Sequence, residues 1–189
     1  MGGGVGTGAS DPRDPRVGGG IVPSRLVRLG RSTMAGRLGG FIYGTIVALA
    51  VLAAGAKAYP DDAGAIAALV GVTSAVFWVA HVYAHGLGES VARDERLSLA
   101  ELRRLARHEA AILEAAVPPV AILLLGAFGL LTTSAAIWGA IGIGLGVLAL
   151  EGLIFARLEG LGRAGTVGVM SANVALGLLL VALKLALSH

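Results

Sequence analysis

Five long runs of apolar residues, separated by short polar segments, occupy most of the chain after residue 38. Each run is close to the roughly 20 residues with which an α-helix crosses a hydrocarbon core of ~30 Å. We therefore predict an all-α, polytopic membrane protein, a bundle of five transmembrane helices. The predicted spans cover residues 39–58, 64–86, 109–130, 134–156 and 166–187.

The polar segments predict how the rest of the chain is organised. Residues 1–20 are rich in glycine and poor in large apolar residues, which predicts a disordered cytoplasmic tail. Residues 21–38 form a basic juxtamembrane segment, either a helix on the lipid surface or a flexible flank, ahead of the transmembrane domain at 39–189. Within that domain, Ser98-Leu-Ala-Glu101 matches a capping box and predicts an amphipathic cytoplasmic helix at about 98–107.

Composition and charge support a membrane protein and orient it. The chain is 56% hydrophobic and only 14% charged, whereas about a quarter of the residues of a soluble domain are charged. Thirteen of its fifteen Lys and Arg residues lie on one side of the predicted spans, leaving only Lys57 and Lys184 on the other. By the positive-inside rule, the N-terminus is cytoplasmic and the C-terminal His189 lies outside. The basic residues thus indicate topology in a cell inner membrane, with the lipid bilayer and not a nucleic acid as partner.

Polar side chains at membrane depth are the candidates for chemistry. His81, His85 and Glu89 follow one another at steps of four and form a stripe along the second predicted span. Exposing ionisable groups to lipid costs several kcal/mol each, so we expect these side chains to face the interior of the bundle. Further polar groups lie in the cytoplasmic half of the other predicted spans: Tyr43, Glu114, Glu151 and Asn173. We expect the whole set to share one pocket that opens to the cytoplasm.

Two prolines follow Glu114 in the third predicted span. A proline removes one amide donor and displaces the carbonyl four residues earlier, so Pro118 and Pro119 predict a helix kink that frees the carbonyls of Glu114 and Ala115. Free carbonyl oxygens beside a carboxylate suit a cation. A simple bend, with Glu114 bonded to a neighbouring helix, is the open alternative.

Three interpretations of the polar set stay open. His81 and His85 suit a transition metal when a carboxylate such as Glu114 joins them, and they equally suit proton relay, because histidine ordinarily titrates near neutral pH. The third interpretation is a purely structural network. We favour a proton or small-cation channel or transporter over a non-transporting scaffold or accessory protein with a partner-docking cytoplasmic helix. The chain has no cysteine, no nucleophile–base motif and no nucleotide-binding motif, so we predict neither an enzyme nor a bound cofactor.

Three stretches resemble known families. Arg37-Leu-Gly-Gly-Phe41-Ile-Tyr43 and Trp78-Val-Ala-His81 are similar in spacing to the first two helices of the endolysosomal and bacterial potassium channel family, with Ile42 and Tyr43 in place of its Ser and Asp. That resemblance implies an oligomeric cation pore. Gly152-Leu-Ile-Phe-Ala156-Arg-Leu-Glu-Gly160, together with the five-span topology, resembles the vacuolar iron transporter family and implies a dimer that exchanges metal for protons. Both resemblances imply a homo-oligomer.

Overall fold

The computed structural model describes residue 2 and residues 24–94 and 98–186, and for residues 24–35, 184 and 185 it describes the backbone alone. All regular structure in these ranges is α-helical, which confirms the predicted all-α class. The helices are α1 (Ser24–Ala58), α2 (Ala63–Arg93), α3 (Leu99–His108), α4 (Ala110–Glu114), α5 (Val117–Ala127), α6 (Thr133–Leu158) and α7 (Arg163–Ala186). The tail predicted for residues 1–20, apart from Gly2, lies outside the described residues, and so does His189.

Four stretches of helix are long and apolar enough to cross a membrane: Gly36–Ala58, Ala63–Arg93, Thr133–Leu158 and Arg163–Leu183. A fifth exists if Leu99–Glu114 and Val117–Ala127 count as one span, although these two parts are bent by 53° relative to each other. The described chain is therefore consistent with a polytopic membrane protein of four to five spans.

Residues 34–189 form the larger of two compact units, and the smaller unit, residues 1–33, is described only as backbone from Ser24 onward and at Gly2. In the larger unit α1 packs against several other helices. Its buried side chains contribute to two apolar clusters: one joins Ala48 and Leu52 to α2, α5 and α6, and the other joins Leu49 and Ala53 to α6 and α7. The centre of the packing is thus the second half of α1.

Three glycines let α1 approach the helices that follow α2. Gly36, Gly40 and Gly44 recur every four residues and lie on one face, which we call the glycine seam. A Cβ atom on Gly44 would lie 2.6 Å from the carbonyl oxygen of Ile112 and 2.9 Å from the Cβ of Ala115. Small residues at this spacing are typical of close helix contacts in membranes. The seam fixes α1 against α4.

The third predicted span is broken and not merely kinked. α4 ends at Glu114 and α5 begins at Val117, so Pro118 and Pro119 stand in the first turn of a new helix. Proline is tolerated there because the first amides of a helix have no partner within it. The helix predicted to be kinked over 109–130 is thus divided into α4 and α5, and whether the two cross the membrane as one span stays a prediction.

The amphipathic helix predicted at about 98–107 is present as α3. Both halves of its capping box form: the Glu101 amide donates to the Ser98 hydroxyl at 3.3 Å, and the Ser98 amide donates to Glu101 Oε2 at 2.8 Å. Arg93 Nη1 adds a hydrogen bond of 3.0 Å to the other carboxylate oxygen. The bonds from the Ser98 amide and then from its hydroxyl hold the pKa of Glu101 below its usual value of 4.5.

We expect the first turn of α3 to fray in acid. A lowered folded pKa means that the carboxylate of Glu101 stabilises this turn above pH 4.5, and that the stabilisation is lost as the pH falls through the folded value. Hydrogen exchange at the amides of Glu101 and Leu102, corrected for intrinsic rates, should therefore lose protection as the pH falls below 4.5 and through the lowered pKa. Glu101→Gln should remove most of this dependence. Unchanged dependence in that variant would contradict the assignment.

Candidate functional site

Aromatic and imidazole rings from α1 and α2 form a line of successive contacts, tilted or edge-to-face. The ring centroids of Tyr43 and His81 are 5.2 Å apart, and those of His81 and His85 are 6.2 Å apart. His81 and His85 share one face of α2 because they are four residues apart. Three of the side chains predicted for the site therefore do come together.

The line ends on Glu109, a carboxylate that was not among the predicted site residues. His85 Nδ1 lies 2.7 Å from Glu109 Oε1, and His108 Nδ1 lies 3.5 Å from the same oxygen. Only 7% of Glu109 is exposed. Tyr43, His81, His85, His108 and Glu109 together form what we call the histidine–glutamate cluster.

The turn between α3 and α4 places Glu109. Its amide donates to the carbonyl of Leu105 at 2.9 Å, which caps α3. α3 is held beside α2 by Trp78, whose indole Nε1 donates to the carbonyl of Ala106 at 3.0 Å. The polar stripe of α2 thus binds α3 and meets Glu109 at the corner where α3 gives way to α4.

The cluster lies toward the end of α2 that carries Arg93. α2 extends to Arg93, seven residues beyond the predicted span. At 1.5 Å per residue, about 20 residues counted from Ala63 cross a ~30 Å core. On this count His81 lies near the boundary and His85 just beyond it, where 59% of its side chain is exposed. Counted in this way, the cluster lies toward one end of α2 and not at its middle.

Glu114 does not join the histidines. Its Oε2 accepts a hydrogen bond of 3.0 Å from Arg37 Nη2, and about half of each side chain is exposed. The partner that the structure gives Glu114 is Arg37 of α1, and no contact joins Glu114 to His81 or His85 among the described residues. In the described ranges no group of three or more His, Asp and Glu side chains is placed to hold a metal ion.

Glu151 lies on a different face of α1. It is 3% exposed, and its Oε1 accepts a hydrogen bond of 3.3 Å from the hydroxyl of Thr45. Residues 43 and 45 point about 200° apart on a helix, so α1 presents Tyr43 to α2 and Thr45 to α6. This geometry separates Glu151 from the histidine–glutamate cluster and contradicts the single pocket that we expected.

Asn173 and Glu89 have local partners. Asn173 Nδ2 donates to the carbonyl of Leu148 at 3.3 Å and ties α7 to α6. Glu89 forms an ion pair of 3.5 Å with Arg93, one turn further along α2. Of the seven predicted pathway residues, Tyr43, His81 and His85 are therefore close together, and the remaining four are spread over separate contacts.

No family model, curated protein or solved structure matches the chain. The resemblances to the potassium channel and iron transporter families gain no support from these comparisons and stay predictions. The fold and the site therefore define only a broad class of protein. It is an all-α protein whose apolar helices are compatible with an integral membrane protein.

Proposed function

We propose that this protein passes protons or a small cation across a membrane and that the histidine–glutamate cluster forms the entrance on one side. The observation that carries the proposal is the pairing of His85 with the buried Glu109, 2.7 Å apart, at the end of a line of rings that begins at Tyr43. A buried carboxylate beside an imidazole can exchange a proton with it, and the two groups together can bind a positive charge.

Each contact in the cluster fits a step in proton transfer. A proton on His85 Nδ1 lies on the hydrogen bond to Glu109 Oε1, so that it can move to the carboxylate without rearrangement. Transfer between His85 and His81 requires a ring rotation or a bridging water, because their centroids are 6.2 Å apart. His108, 3.5 Å from the same carboxylate oxygen and 40% exposed, is the exchange point with solvent.

We further propose that the cluster faces the cytoplasm and that the protein resides in a cell inner membrane. Thirteen of fifteen basic residues on one side support a cytoplasmic N-terminus and an outside C-terminus. We also propose a homo-oligomer in which a second copy covers the face of α2 that carries Tyr83, which is 66% exposed. Membrane topology then accounts for the basic residues, and we propose no nucleic-acid partner.

The proposal is tested by flux into liposomes that contain the purified protein and a pH-sensitive or potassium-sensitive dye. Glu109→Gln and His81→Ala should each reduce flux by about tenfold or more, because each removes a group that holds the moving charge. Glu114→Gln is the matched control: it makes the same change on a carboxylate of α4 that pairs with Arg37, and flux should stay near the native level.

Gel filtration and the helix content of each variant show whether the protein is folded in that assay. Flux that is equally lost in Glu114→Gln, or unchanged in Glu109→Gln, would contradict the assignment of the site. Absence of flux in the native protein under every imposed gradient would overturn the transport function itself.

A second candidate is a membrane scaffold that docks a partner on α3. The observation in its favour is that α3 presents Leu99, 76% exposed, together with the exposed Arg103 and Arg104, while Trp78 anchors its other side to α2. Native protein and variants that fold and oligomerise normally but show no flux would support this function.

A further inference from the structure

A groove of about 510 Å³ lies between α1 and α6 in the larger unit. Its walls are mostly apolar, with Phe41 from α1 and Leu150 and Ile154 from α6. A volume of this size falls within the range of small-molecule sites in proteins. The groove shares no residue with the histidine–glutamate cluster, so the inference below does not depend on the proposed function.

Glu151 is the acidic residue in the lining of this groove. Its Oε1 accepts from Thr45, while its Oε2 is buried and has no hydrogen-bond partner among the described residues. A buried polar atom without a partner costs about 1 to 3 kcal/mol. A residue of the groove lining therefore has a carboxylate oxygen, covered in this structure, with unused capacity to accept a hydrogen bond.

Arg37, the other charged residue of the lining, does not neutralise the charge of Glu151. Arg37 lies in the groove lining, but its guanidinium donates to Glu114 at 3.0 Å. That pair is neutral as a whole and half exposed. A ligand in the groove thus meets apolar walls, a neutralised ion pair and one acidic group whose hydrogen bonding is incomplete.

We propose that the groove binds a lipophilic protonated amine. Its N–H donates to Oε2 of Glu151, and its apolar body lies between Phe41 and Leu150. Oε2 is covered in this structure and becomes accessible to the ligand when the side chain of Glu151 changes rotamer toward the groove. Charge complementarity selects this class: an anionic amphiphile places a second negative charge beside Glu151, and a lipid acyl chain leaves Oε2 without a donor.

Binding is measured with radiolabelled 4-phenylbutylamine on the full-length protein in nanodiscs of phosphatidylcholine. Unlabelled amine should displace the probe, whereas the neutral alcohol with the same carbon skeleton should be weaker by about tenfold or more, because it lacks the charge. This comparison uses the native protein alone, so it stands even if a variant fails to fold.

Glu151→Gln keeps the shape of the side chain and should also weaken binding by about tenfold or more. Glu89→Gln, the same substitution on a carboxylate of α2 that pairs with Arg93 and lies outside the groove lining, should leave it unchanged. Equal displacement by amine and alcohol, or native affinity in Glu151→Gln, would overturn the proposal and indicate a groove that accepts any apolar molecule, such as a lipid tail.

Discussion

Gly44→Leu should destabilise the protein by about 3 kcal/mol or more, at the upper end of the effects of overpacking. The new side chain would begin 2.6 Å from the carbonyl oxygen of Ile112 and 2.9 Å from its Cα atom. Both are backbone atoms of α4, which cannot rotate away as a flexible side chain can. Relief requires α1 and α4 to separate, and the buried contacts of both helices are then lost.

Gly39→Leu is the matched control for this prediction. Gly39 is also in α1, it is exposed, and a Cβ atom there would meet nothing within 4 Å. Leucine is favourable on a helix face that contacts lipid, so this variant should unfold at or slightly above the native temperature. The measurement is thermal unfolding in detergent, followed by tryptophan fluorescence. Equal stability of the two variants would show that the glycine seam does not determine helix packing.

The sequence predicted the helices well because membrane helices are specified by local composition. Apolar runs of sufficient length and the capping box at Ser98 are signals that need no knowledge of the partners. The glycine seam was not among the predictions, because glycine at a spacing of four indicates only that another helix approaches closely. Which helix approaches depends on the three-dimensional arrangement, which periodicity does not contain.

The site was predicted only in part, for two physical reasons. Depth along a helix can be counted from sequence, but the direction of a side chain depends on how the helix is rotated in the bundle. Tyr43 and Thr45 have similar depth and point to different neighbours, which is why Glu151 lies apart from His81. Glu109 was overlooked because it stands at the predicted end of a span, where a solvated carboxylate is the usual expectation.

Glu114 is a second residue whose partner could not be predicted from the sequence. Its position beside two prolines predicted a special environment, and the helix does break there. The carboxylate nevertheless pairs with Arg37, 77 positions away in the chain. An ion pair across such a separation is decided by packing of α1 against α4, and no motif within the third span indicates it.

Glu151→Met should stabilise the protein by about 1 to 3 kcal/mol, the penalty of a buried polar atom without a partner. Methionine is similar in size to glutamate and carries no group that needs a hydrogen bond, so it suits a site that is 3% exposed. Thr45→Val should act in the opposite direction, because it removes the hydroxyl that donates to Oε1 while leaving the carboxylate in place. Thermal unfolding in detergent measures both changes.

Combining the two substitutions gives the decisive comparison. Once methionine replaces Glu151, the hydroxyl of Thr45 keeps only its hydrogen bond of 3.0 Å to the carbonyl of Phe41, so Thr45→Val should lose most of its destabilising effect, and the two effects should not add. If replacement of Glu151 increases stability, this residue has a role other than stabilising the fold, and amine binding in the groove is such a role. If Glu151→Met instead lowers the unfolding temperature, the carboxylate is a structural group, and its unpaired oxygen gives no ground for a ligand.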